Sequence, residues 1–549
     1  MKTESVKRIS SIVVFVLALI TVACYIMNGM RNEYGVLSTD NMIAAMASAE
    51  SGTIVNRGFW YGYNMPFNIS LIMTVLVKLI GTDFSVVKIS MLIFLIIFTV
   101  LLIFLFKSLK IGNEETLVST SFVLLLFMSS EITRTALFSH TTYYLVSFMG
   151  LCLIYIVLGM PEITEENKIT DEKTDGNEDK RKKYYIKPVL LFVITTVCCI
   201  NGSHIIEGLI IPLVIAMLIK WVISGIFTEN SDENDQYKLK ESRKFLFTAA
   251  LIIVGSVFGI LIRRKFFGNI YYDGALGRFT DYGSWFFKEK GFFGQWVVLF
   301  TGRVNDVTNM MSAEGIFVML HYLTAIVILI LPIFATLYYK RYDNELARLF
   351  IINYWSSFLV TYMIFSLGYA QKDEWRLIGL ALMAVCTDCV FLSAVMKDNI
   401  TLRQIAAIPL LILAFSALLN IIITYAFVKT ENPENEIISF LDEHSLDYGY
   451  ASFDTSANVI TVLSGDKIRV RPIEIHEDGT YRIERFDNEF SWYDDEPETE
   501  RYFVILNNDE MNSLSSTLGS NAVESIDIPD GCIWVFDNNI FTEGQPVYN

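Results

Sequence analysis

The 549-residue chain is poor in the residues that build metal centres and disulfide frameworks. Its five histidines, at 140, 204, 321, 444 and 476, are scattered and form no ligand motif. Of seven cysteines, six fall in apolar runs, and Cys532 stands alone in the polar C-terminal tail, so no disulfide framework is available there. Cys386 and Cys389 have CxxC spacing but no second ligand pair, and they read as small packing residues. No D-x-D-x-D-G calcium loop is present. Positive charge is also short, with 43 Lys+Arg against 59 Asp+Glu and a net charge of −16. That balance excludes a nucleic-acid binder, whose phosphate-tracking surface needs a basic excess. There is no visible internal repeat, which disfavours inverted-repeat transporters.

What the chain has instead is apolar mass: 53% of residues are hydrophobic and the mean hydropathy is +0.43. A soluble chain this acidic would not also be this apolar, so the composition points to a polytopic α-helical membrane protein. Apolar runs predict about eleven transmembrane helices, near 9–28, 84–106, 116–130, 143–160, 187–201, 205–226, 245–262, 316–338, 349–367, 376–396 and 404–427. Lys and Arg recur in alternate loops, including Lys7-Arg8, Lys107, Lys110, Lys180–Lys183, Lys340-Arg341 and Lys397. The positive-inside bias then puts the N-terminus and the loop 161–186 in the cytoplasm. Segments 29–83, 263–315 and the tail lie outside a plasma membrane.

The chain divides into a membrane domain, 1–428, and an exoplasmic α+β domain, 429–549. The tail residues carry 7 Lys+Arg and 26 Asp+Glu, a net of −19, whereas the body is mildly basic. Ile437–Leu441 with Glu443 reads as a helix. Val459–Leu463, Ile468–Ile475, Tyr502–Leu506 and Ile533–Phe536 read as strands.

The first outer loop is the most informative stretch. Ser38-Thr39-Asp40 is a good helix start, Met42, Ala45, Met46 and Ala49 form an apolar stripe, and Gly52 supplies a stop. Taken locally, Asp40 caps a helix lying on the membrane surface. The order of features, however, resembles the GT-C superfamily of membrane glycosyltransferases, which includes the protein O-mannosyltransferases of glycosyltransferase family 39. Their first outer loop has an acid beyond helix one, a surface helix ending in Gly, an aromatic stretch, Pro, and an apolar run closing in Gly. Asp40, Gly52, Trp60–Tyr63, Pro66 and Lys78–Gly81 occupy those places. Asn41 stands where a second acid is usual, and Met65-Pro66 replaces Pro-Pro. Trp375-Arg376 is similar to the Arg-Tyr start of a late helix in the same superfamily, and Asn201–Pro212 looks like a hairpin and Pro-containing helix of its bacterial members.

The resemblance implies a bacterial cell-envelope enzyme, an inverting transferase that needs neither metal nor cofactor. It would move a sugar from a polyprenyl-phosphate carrier to a glycan, lipid or protein acceptor. Asp40 is then the expected base for the acceptor hydroxyl, and Arg376 with Arg263, Arg264 and Lys265 would hold the donor phosphate. Glu131, His140 and Arg57 are candidates for orienting substrate. Cationic side chains at helix ends also snorkel to lipid headgroups, so each of these has a plain structural alternative. Two other readings remain: a polymerase or ligase of lipid-linked polysaccharides, and a transporter or flippase of lipid-linked glycans that uses the intramembrane acids Asp388 and Glu207.

Overall fold

The computed structural model describes residues 2–35, 38–61, 67–138, 142–160, 177–202, 205–226, 235–267, 282–302, 309–368, 374–396, 399–427, 431–453, 455–494 and 499–541. The body begins with α1 (Lys2–Cys24), prolonged by a π turn at Tyr25–Gly29, then α2 (Asp40–Glu50), α3 (Ser70–Ile80) and α4 (Ser85–Ser108). Next come α5 (Asn113–Leu126), α6 (Glu131–Phe138), α7 (Thr142–Gly159) and α8 (Asn177–Ile200). A second π turn, Ile206–Ile210, leads into α9 (Ile211–Ile226), followed by α10 (Asp235–Phe266) and α11 (Tyr282–Thr301). The body closes with α12 (Ala313–Leu337), α13 (Glu345–Leu367), α14 (Ile378–Ala394) and α15 (Ile400–Phe427).

Among the described residues, eight segments are long and apolar enough to cross a membrane, the first Ser5–Gly29 and the last Arg403–Tyr425. They match eight of the eleven expected runs. α5 and α6 make a ninth span if their joint, bent by 107°, is one broken crossing. The expected runs at 143–160 and 187–201 are helical as well, with shorter apolar stretches, Leu145–Gly159 and Ile186–Ile200. Ile96, Leu261 and Phe415 point outward on three of the long helices, an arrangement suited to a hydrocarbon surround.

Small residues bring the shorter helices in close. Gly255 and Gly259 of α10 face α8, and a Cβ added at Gly259 would lie 2.4 Å from the Thr196 carbonyl oxygen. The Thr196 hydroxyl donates across the same contact to the Gly255 carbonyl at 3.2 Å. This is the small-xxx-small packing by which helices associate without a hydrophobic driving force between them. α11, inside the segment expected as an outer loop, is packed against α12 and α13, and the Trp296 indole donates to the Ala325 carbonyl at 2.9 Å.

The bend between α5 and α6 has a local cause. Ser130 accepts from the Thr133 backbone N–H at 3.1 Å and so starts a new helix, while its hydroxyl donates to Leu299 of α11 at 2.6 Å. The new direction carries Arg134 inward. Its guanidinium pairs with Glu33 at 2.7 Å, both side chains being nearly buried. Tyr25 donates to the same carboxylate at 2.8 Å, and Tyr425 of α15 donates to its other oxygen.

The tail folds as α16 (Glu434–Glu443), β1 (Tyr448–Ser452), α17 (Ala457–Leu463), β2 (Arg469–Ile475), β3 (Tyr481–Ile483), β4 (Tyr502–Asn507), α18 (Asn508–Leu514), β5 (Glu524–Ile528) and β6 (Gly531–Phe536). The sheet order is β3-β2-β1-β4-β6-β5. β1 runs parallel to both β2 and β4, with Tyr448 opposite Arg469 and Tyr502, and the remaining pairings are antiparallel. Val459–Leu463, expected as a strand, is the helix α17. Parallel β1 and β2 need a crossover between them, and all of Ala457–Leu463 is buried, so packing overrides the β-branched preference.

The Glu33–Arg134 pair yields a first prediction. Arg134→Met leaves a buried carboxylate unneutralised and is expected to cost about 3–5 kcal/mol in denaturant unfolding of the protein in micelles. Adding Glu33→Gln should recover part of that loss.

Candidate functional site

Asp40 is the first residue of α2, and 5% of its surface is exposed. The helix is less amphipathic in its setting than in its sequence, because every residue from Asp40 to Ser48 is buried. α3 covers one side and the C-terminal domain approaches from another. Gly52, at φ +71°, turns the chain away after the last turn, as its position predicts.

Tyr34 is the neighbour that sequence reasoning missed. It is buried edge-on against Phe84, with ring centroids 5.0 Å apart. Its hydroxyl lies within electrostatic reach of Asp40, and burial, reinforced by that charge, holds the phenol well above its ordinary pKa. The Tyr therefore stays a neutral hydrogen-bonding group beside the carboxylate. The only sequence signal was an aromatic residue six positions before the acid, and that spacing implies no contact.

From Asp40 a polar seam runs across the body. Asn41 accepts from the Asn68 amide at 2.6 Å. The adjacent Phe67 is clasped by Asn201, which accepts from its N–H at 3.0 Å and donates to its carbonyl at 2.7 Å. Asn201 ends α8, and beyond it the second π turn presents Glu207, which lies within electrostatic reach of Arg376. Arg376 sits in a 3-10 turn, Glu374–Leu377, that leads into α14, with its guanidinium 4.5 Å from the Trp375 ring centroid. It lines a cavity of about 40 Å³ with Ser147, Gly208, Ser357, Thr361 and Gly379. Asp40 is not part of that cavity's wall.

The cationic cluster at the end of α10 forms a third group. Arg57 and Lys265 flank one ring, at 5.1 and 5.5 Å from the Phe266 centroid. The structure thus brings Arg57 to the 263–265 cluster, a proximity that sequence spacing did not reveal. Arg263 is half-buried, and Arg264 is exposed. Glu131 is the exposed first residue of α6. His140, Tyr63 and Pro66 lie outside the described residues. Arg134 of α6 is committed to Glu33.

The C-terminal domain locks the loop that carries α2. Trp60 and Asn488 form a two-way backbone bridge, with N–H to carbonyl distances of 2.7 and 3.3 Å. The Trp492 indole donates to Glu50 at 2.8 Å, and Asn56 donates to Glu489 at 2.7 Å. Thr82 donates to the Gly465 carbonyl at 2.7 Å. Asn432 donates to the carbonyls of Arg31 and Tyr34, so the domain also holds the segment 31–34 that precedes Asp40.

Among the described residues no group of three His, Cys, Asp or Glu side chains converges as a metal site would. No protein-family model matches this chain, and no curated protein matches it.

The seam yields a pH prediction. Burial holds the Glu489 carboxyl above its ordinary value, with the Glu50 charge adding to the effect. The folded protein therefore binds this proton more tightly than the unfolded chain. Its contribution to stability grows as pH falls through the raised value and is lost as pH rises again. Glu489→Gln should remove that part of the slope. Thermal unfolding followed by tryptophan fluorescence between about pH 4 and 7 is the check, with the variant's midpoint varying less than the wild type's.

Proposed function

We propose that this chain is a GT-C-type membrane glycosyltransferase of the bacterial cell envelope. It moves a sugar from a polyprenyl-phosphate carrier to an acceptor hydroxyl on the outer face of the plasma membrane. The observation that carries the reading is the setting of Asp40, a buried carboxylate at the start of a helix clamped from both sides. A base must be held still and partly shielded from water, and a site pinned by the neighbouring domain meets that need.

In this mechanism the acceptor oxygen attacks the anomeric carbon from the face opposite the phosphate. The bond from that carbon to the phosphate oxygen breaks, and the configuration inverts. Asp40 takes the hydroxyl proton. Its place in the first turn of α2 sets it at the positive end of the helix dipole. In this reading Arg376, with Arg263, Arg264 and Lys265, offsets the negative charge that the leaving phosphate gains. Arg57 joins that cationic group through Phe266. The topology that goes with this reading has eleven crossings, including the shorter helices at 145–159 and 186–200, an N-terminus in the cytoplasm and the acidic domain outside.

A second reading, transport of a lipid-linked glycan, is favoured by one observation, the carboxyl of Asp388 deep in the helical body. Membranes containing the full chain, supplied with a panel of polyprenyl-phosphate sugars, separate the two. Asp40→Asn is expected to lower transfer by roughly 10²–10⁴-fold, and Arg376→Ala to weaken use of the donor more than Arg376→Lys. Transfer unchanged in Asp40→Asn would overturn the assignment.

A further inference from the structure

α14 is the most enclosed helix of the body, with Ile378 and every residue from Leu380 to Leu392 buried. In the middle of this apolar rod sits Asp388, with none of its surface exposed. Neither carboxylate oxygen has a hydrogen-bond partner among the described residues, and no described cation pairs with it. An ionised carboxylate in that position would stand uncompensated, at a cost of several kcal/mol.

The groups around it are neutral. From α14 itself come Cys386 and Cys389, both buried thiols. From the neighbouring helix α13 comes Tyr354, and from the segment before α13 comes Tyr342; both lie within electrostatic reach of Asp388. Their hydroxyls are buried and likewise lack partners among the described residues. Asp388 lies six residues from the C-terminal end of α14, about 9 Å along the axis. Tyr342 lies just before the adjoining end of α13, at the same end of the body. The cations Lys220 and Arg348 also sit there, and both pair with the part-exposed Glu345 rather than with Asp388.

We propose that Asp388 is a proton-binding site within the membrane body, protonated in the resting protein. A proton is the one cation that removes the charge without needing a shell of oxygen ligands, and hydroxyl groups are the surroundings a carboxylic acid accepts. The site is separate from the proposed transfer site, since neither Asp40 nor Arg376 binds this proton.

Infrared spectroscopy of the full chain in lipid nanodiscs tests this. A protonated-carboxyl C=O band should be present near neutral pH, should vanish in Asp388→Asn, and should be unchanged when potassium is replaced by sodium. Asp388→Asn is also expected to keep the wild-type thermal midpoint, because an amide replaces an already neutral acid. If that variant does not fold, Asp388→Glu should shift the band instead. Absence of the band in the wild type overturns the proposal, as does its loss on adding sodium, which would mark an alkali-cation site.

Discussion

The arrangement at the loop-bearing end of the body rests on one buried ion pair, Glu33 with Arg134. A charge taken out of water must be matched on the spot, and here the matching groups come from three distant parts of the chain. Arg134 arrives from α6, Tyr25 from the π turn that extends α1, and Tyr425 from the last body helix. Gly29 makes room for this convergence: a Cβ there would lie 2.7 Å from the Tyr425 ring. Once Glu33 is held, the chain has only seven residues in which to reach Asp40, with Tyr34 already seated against Phe84. The position of the candidate base thus depends on a charge pair that takes no part in its chemistry.

Charge also governs how the two halves meet. The tail carries a net of −19, yet its contacts with the body use amides, carbonyls, indoles and a hydroxyl. The two acids at the seam, Glu50 and Glu489, are each met by a neutral N–H donor. Arg31 of the body donates to the Leu463 carbonyl at 3.3 Å. Docking of this kind is directional, and it leaves most of the acidic surplus to be solvated elsewhere on the domain. It also explains why a helix with an apolar stripe, expected on the membrane surface, is covered by protein.

The long apolar helices were legible because a run of that length has a single physical reading. The bend at Ser130 was not, since the serine that starts α6 is distinguished only by the bond its hydroxyl makes to Leu299. α17 was misread because Val459, Ile460 and Val462 carry the composition of a strand, and only the parallel pairing of β1 with β2 requires a helix there. At the candidate site, the helix start at Asp40 and the stop at Gly52 were visible as local signals. The seam from Asn41 through Asn68 to Asn201 was not, because it joins residues more than a hundred positions apart. Nothing in the sequence around Arg134 points to Glu33, and only that partner identifies the arginine as structural.

α14 ties the two kinds of chemistry together. Arg376 stands in the turn that opens it, and Asp388 lies twelve residues on, about 18 Å along the same rod. A helix buried on all sides moves as a unit, because its neighbours leave no room for local bending. A charge appearing at Asp388 would have to be relieved by a shift of α14 against α13 or by entry of water. Either adjustment bears on the Arg376 cavity, whose wall includes Ser357 and Thr361 of α13 and Gly379 of α14. Keeping Asp388 neutral is therefore a condition for holding Arg376 in place, whatever anion that arginine meets.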